Sequence, residues 1–133
     1  MKFAKYTFYI AAVYGFLALI PQYFLEEKIG FSNPPSITHS EYFYGFIGVA
    51  LAWQLAFVII ARNPAKYRAV IIPAILEKFS FGIAAAVLFS QDKLAAQMFG
   101  AGMIDLVFGV LFAIAFFKLR RSSFHISPSV DCK

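Results

Sequence analysis

The sequence is short of charge, of cysteine and of polar stretches. Of its 133 residues only 14% are charged, whereas 61% are hydrophobic. Soluble domains run nearer about 45–50% apolar and about 25% charged. A chain of this length cannot bury so much apolar surface in water, so the composition excludes a soluble globular domain and points to an integral membrane protein. Cysteine occurs once, as Cys132 beside the C-terminus. That excludes an intramolecular disulfide, a CxxC redox pair and a cysteine metal site, and leaves Cys132 as a free tail thiol. There is no nucleophile elbow, Walker loop or HExxH motif, and Ser80 and Ser90 have no histidine near them in sequence. These absences count against a hydrolase. They count less against a membrane isomerase, which needs only carboxylates. The net charge of +5 is spread over short segments between apolar runs. No basic patch or stripe results, so no nucleic-acid partner is expected.

What the chain does have is long apolar runs. A helix needs about 20 mainly apolar residues to cross a bilayer, and four segments qualify: residues 6–25, 42–61, 69–90 and 97–117. The first resembles a signal peptide, with Lys2 and Lys5 ahead of an apolar run. It is long for that role and ends in "PQYFLEEK" without a small-x-small cleavage site, so it reads as a retained helix. The expectation is an all-α membrane protein, one domain over residues 1–133, with four transmembrane helices in an antiparallel up-down bundle and a short tail at 118–133.

The connections carry helix signals. "THSE" fits a capping box, with Thr38 as N-cap and Glu41 three residues on. In "RNPAKYR", Asn63 is placed as N-cap and Pro64 at the first helical position. Asp92 is placed as cap of the fourth span. Tight turns after spans two and three imply antiparallel hairpins. "EEKIGFSNPPSI", residues 26–37, reads as the one true loop, extended at Pro34-Pro35. His39 and Glu41, two apart, share no helix face and so give no metal pair.

Orientation follows from positive charge. One side collects Lys2, Lys5, Arg62, Lys66, Arg68, Lys118, Arg120, Arg121 and Lys133 against the single acid Asp131. The other holds Lys28 and Lys93 against Glu26, Glu27, Glu41 and Asp92. Both termini are therefore expected to face the cytoplasm, in a multi-pass protein of the cell (inner) membrane, with anionic lipid contact as a second role for the basic ends.

Close helix packing in lipid uses small residues. Ala11, Ala12, Gly15 and Ala18 recur on one face of the first span, and Gly45, Gly48, Ala52 and Ala56 on one face of the second. Ala74, Ser80, Ala84 and Ala85 surround Glu77 on the third; Ala101, Gly102 and Gly109 surround Asp105 on the fourth. Gln22 and Gln54 join these faces, and Tyr14 and Trp53 lie within reach. At 1.5 Å rise per residue, Gln54, Glu77 and Asp105 lie about 10, 12 and 18 Å from the basic end. A polar cluster of Glu77, Lys78, Asp105 and Gln54 is thus expected inside the bundle.

Glu77 and Lys78 are adjacent, but their side chains leave a helix about 100° apart, which makes them poor partners. Each unpaired charge at mid-bilayer costs at least ~2.5–3.5 kcal/mol. Asp105 is the expected ion partner of Lys78, with Glu77 neutral and donating to Gln54 or to a carbonyl freed by Pro73; alternatively Lys78 serves both acids. Pro73 itself reads as a tolerated membrane proline more than a gating hinge. The cluster reads as interhelical glue, as a ligand, ion or proton site, or as a contact with a partner subunit.

The layout resembles the small bacterial four-span membrane proteins of the DoxX-like type. The resemblance rests on four spans in this length, the second span "FYGFIGVALAWQ", the basic turn "RNPAKYR" and the polar third span "ILEKFSFG". The second span lacks the acid and glycine pair of that type, and no functional residue is carried over. The resemblance implies a four-helix membrane bundle, in some cases an accessory subunit of a membrane redox system. The expected function is therefore non-enzymatic: association in the lipid bilayer, as an accessory subunit of a larger membrane complex or a homo-oligomer, or as a small-ligand-binding bundle. A small proton-coupled carrier using the intramembrane carboxylates is the alternative, and a membrane isomerase or redox-associated enzyme the third.

Overall fold

A computed structural model describes residues 1–124. The expectations on Cys132, Asp131 and Lys133 lie outside the described residues. The elements are α1 (Lys2–Leu19), a 3-10 segment (Ile20–Phe24), α2 (Glu26–Ser32), α3 (Ser40–Arg62), a 3-10 turn (Arg68–Val70), α4 (Ile71–Ser90) and α5 (Ala96–Phe124). No strand occurs among them. Four helices are long and apolar enough to cross a membrane, and only 28–33% of the most apolar stretch of each is buried by the others. Exposed Ile10, Val13, Leu17, Leu55, Leu76, Ile83, Val107 and Ile114 cover the outside. That surface suits hydrocarbon, where no water penalises it.

Several boundaries differ from expectation. Pro21 lacks an amide hydrogen, so α1 ends at Leu19 and tightens into 3-10 turns, while Gln22 Nε2 donates to Ala18 O at 3.0 Å. Residues 26–32 are helical, not loop: Glu26 and Glu27 sit in the first turn of α2, where the helix dipole favours acids. Glu26 then ties α2 to α3. It accepts from Ser40 Oγ and, at 2.7 Å, from Tyr44 Oη. These two hydrogen bonds, Ser40 first, hold its carboxyl below the usual range. The expected capping box does not form, because α3 starts after His39 with no side-chain cap. Glu41 instead meets His39 Nδ1 at 3.1 Å; the two do touch, because His39 precedes the helix and is free of its 100° rotation.

Asn63 ends α3 instead of starting α4. Its Oδ1 accepts from the Lys66 amide at 3.2 Å and closes the turn over buried Pro64. Pro73 falls in the first turn of α4, where its missing amide has no intrahelical partner to lose. Asp92 does not cap α5. It closes α4 with φ 56°, and the Lys93 and Asp92 amides return to Leu88 O at 3.0 Å and Phe89 O at 3.1 Å. This is the C-terminal motif that usually uses glycine in the left-handed position. At the other end, residues 118–124 are not tail but the last turns of α5.

The helices alternate in direction. Phe8 meets Phe57 (centroids 6.0 Å apart) while Tyr23 meets Tyr44 (5.8 Å), so α1 and α3 are antiparallel. Lys78 meets Asp105 while Phe89 stacks on Phe99 at 4.2 Å, so α4 and α5 are too. α1 also packs on α5, with Phe8 stacked on Phe112 at 4.1 Å. Of the helices adjacent around the ring, α3 and α4 alone stay largely apart, though a short turn joins them. The ring of four helices therefore has one open seam.

The buried faces are not all the small-residue ones. α1 follows expectation with Ala11, Ala12 and Gly15 buried, joined by Ala4, except that Ala18 is exposed. On α3, Gly45 and Ala52 face outward; Ile47, Ala50, Gln54, Phe57, Ile60 and Ala61 are buried instead. On α4 the buried line is Ile71, Ala74, Lys78, Gly82 and Ala85, with Ser80 and Ala84 outside it and Glu77 at its edge. Spacing identified a helical face in each case, but small size alone did not identify which one meets a neighbour. Bulky residues fill the interior of the end where α1 and α4 begin, around Phe8, Phe57 and Phe112, all fully buried.

Candidate functional site

Lys78 lies at the centre of the buried face of α4, with 6% of its side chain exposed. Its apolar stem runs beside Gly109, and its ammonium lies 5.3 Å from the ring centroid of Phe57. Two acids reach it. Asp105 Oδ1 of α5 accepts a hydrogen bond at 3.0 Å, and Glu77 Oε2 lies at 3.4 Å, an ion pair without hydrogen-bond geometry. The adjacent Glu77 and Lys78 thus are partners: the long lysine stem swings back across the angle that separates their Cα–Cβ bonds. The arrangement is the shared counter-ion, with two carboxylates on one ammonium. The expected donation from Glu77 to Gln54, or to a carbonyl near Pro73, is not made.

Gln54 of α3 is 1% exposed. Its Nε2 donates to Ala50 O of its own helix at 2.9 Å, and its Oε1 has no partner. Gly15 of α1 makes the room: a Cβ there would overlap the Gln54 amide. A buried acceptor left without a donor costs about 1–3 kcal/mol. Gln54→Leu is therefore expected to leave the thermal unfolding midpoint of the purified protein unchanged or to raise it, by up to about 1 kcal/mol in stability. A clear drop would make Gln54 structural glue.

Two openings meet at Glu77. A partly open cavity of about 110 Å³ is lined by Tyr14, Gly15, Gln22, Gln54, Lys78, Met98 and Asp105, among others. A wider groove of about 510 Å³ occupies the open seam between α3 and α4, lined by Phe46, Val49, Trp53, Pro73, Leu76, Ser80 and Phe81. Phe46, Ala50, Glu77 and Phe81 line both. The groove is almost wholly apolar. Ser80 turns its hydroxyl back to Leu76 O at 2.6 Å, which leaves the Glu77 carboxyl and the Trp53 indole N–H as the polar groups of its lining. Below the cluster the stack of Phe8, Phe57 and Phe112 closes the bundle, with Phe57 and Phe112 centroids 5.1 Å apart. Among the described residues no group of three His, Cys, Asp or Glu side chains is placed to hold a metal.

No protein-family profile, curated protein or solved structure matches this chain. The site has to be read from its own chemistry.

The structure thus joins Glu77, Lys78 and Asp105, while Gln54 shares with them only the lining of the cavity, together with Tyr14 and Gln22. Sequence reasoning missed Phe46 and Phe81, the aromatic walls of the groove, whose rings lie 6.1 Å apart. No local signal marks them, since the chain has 17 phenylalanines.

Proposed function

We propose that this protein is a membrane-embedded binding protein that takes a small amphipathic ligand from the lipid phase, acting by association and not by catalysis. The observation that carries this reading is the junction at Glu77 of a lipid-side groove with a second cavity that reaches Lys78, Asp105 and Gln54. Binding sites are concave, mostly apolar and oriented by a few polar groups; here the apolar part lies on the membrane side and the polar part inside. The aromatic stack below Lys78 favours a blind pocket over a through-path, and so favours binding over the proton-coupled carrier. In the bilayer the basic end, where α3 turns into α4 and where Lys118 lies 4.6 Å from the Phe3 ring centroid, faces the cytoplasm in this reading. The DoxX-like layout fits an accessory role for such a bundle.

Trp53, the single tryptophan of the chain, lines the groove and reports its occupancy. In phosphatidylcholine vesicles, brominated alkyl amphiphiles are expected to quench Trp53 along a saturable curve superposed on the linear partition into lipid. Linear quenching alone, for every amphiphile tried, would remove this reading.

A further inference from the structure

The pocket holds two buried acceptors, Gln54 Oε1 and Glu77 Oε2, that no donor meets. Glu77 and Asp105 present two carboxylates to the single ammonium of Lys78, an excess of one formal negative charge. Of the Lys78 N–H groups one is committed to Asp105, and Glu77 Oε2 receives no hydrogen bond. Independently, Gln54 Oε1 is buried and unpartnered, and it lies against Gly15 where both line the cavity. The other groups facing this space are Tyr14 and Gln22, and the Gln22 amide is turned back to Ala18 O. An uncompensated charge in this setting is costly, and the low dielectric that makes it so strengthens any counter-charge brought to it.

We propose, building on the binding reading above, that the ligand is a protonated primary amine with an apolar tail. Its ammonium sits between Glu77 and Gln54, and its tail lies in the groove against Phe46, Trp53 and Phe81. An ammonium carries three N–H donors and no acceptor, which complements two unfilled acceptors and cancels the excess charge. Aromatic faces attract cations, and the groove presents three aromatic side chains beside the carboxylate. An alcohol offers one donor and leaves the charge; a fatty carboxylate adds a second like charge. Both are disfavoured by the same geometry.

The test uses Trp53 quenching in phosphatidylcholine vesicles with three probes of equal tail: ω-bromoundecylammonium, ω-bromoundecanol and ω-bromoundecanoate. The ammonium is expected to half-saturate at a concentration about tenfold or more below the alcohol. Glu77→Gln should bring the ammonium to the alcohol's value. Gln54→Leu, which keeps every charge, should weaken the ammonium by a smaller factor and so supports the assignment even if Glu77→Gln folds poorly. Saturable curves that do not distinguish ammonium from alcohol, or an ammonium curve unmoved by either substitution, would overturn the amine while the pocket stands; such a result fits a Glu77 held neutral by its own proton. Curves that never saturate remove the pocket and the amine together.

Discussion

Lys78→Met is expected to be the most damaging single substitution in the membrane interior. The change keeps the volume and apolar stem of Lys78 but leaves Glu77 and Asp105 facing each other without their common cation. Removing one partner of a buried ion pair costs about 3–5 kcal/mol, and here the group removed serves two charges. Asp105→Asn should behave differently. The amide oxygen still accepts from Lys78, and Glu77 still neutralises it, so the cost is about 1 kcal/mol. Combining the two changes should recover about half of the Lys78→Met loss, because residues sharing one network are not additive. The measurement is thermal unfolding followed by helical circular dichroism in detergent or lipid nanodiscs. Equal losses for Lys78→Met and Asp105→Asn would mean that Lys78 answers to Asp105 alone and that Glu77 is no part of the cluster.

The second large effect is expected at Gly82. There α4 and α5 approach so closely that a Cβ would lie 2.9 Å from the backbone oxygen of Gly102 and 2.6 Å from Leu106 Cδ2. Across the same contact, a Cβ on Gly102 would overlap that of Ala85. A flexible side chain can move aside, but backbone cannot, so Gly82→Leu must push the helices apart. Overpacking of this kind costs about 1–3 kcal/mol, and in lipid, where packing itself holds helices together, the upper end is expected. Gly100→Leu on the same hairpin is the control: nothing lies within 4 Å of a Cβ there, and leucine favours a helix over glycine by close to 1 kcal/mol. It should be neutral or stabilising in the same unfolding assay. If both variants lose stability alike, the α4–α5 contact is looser than the geometry gives.

The two substitutions act on different parts of the molecule. Gly82 governs how closely α4 and α5 pack, and with it the position of Lys78 against Asp105. Lys78 governs the charge of the space those helices enclose. A Gly82→Leu protein that still folds should therefore also lose ligand-dependent quenching of Trp53, although Gly82 lines neither the groove nor the cavity.

Much of this architecture is readable from the chain. Its 61% apolar composition leaves no soluble alternative, and four apolar runs of bilayer length require four helices, because backbone groups in lipid must be satisfied within the segment. Three ionisable side chains in those runs have to find partners, and equal rise per residue puts them at similar depth. Hence the meeting of Lys78 with Asp105 is legible in the amino-acid sequence alone. Three things are not. Which face of α3 turns inward is decided by shape, with Phe57 and Ile60 interlocked against Phe8 and Phe112, and small-residue spacing does not encode that. Whether Glu77 joins Lys78 is decided by a side-chain path that Cα angles do not reveal. Above all, the open seam between α3 and α4 exists because α1 and α5 close the rest of the ring. A short turn in sequence brings two helix ends together, but only packing along their whole length decides whether the helices themselves touch.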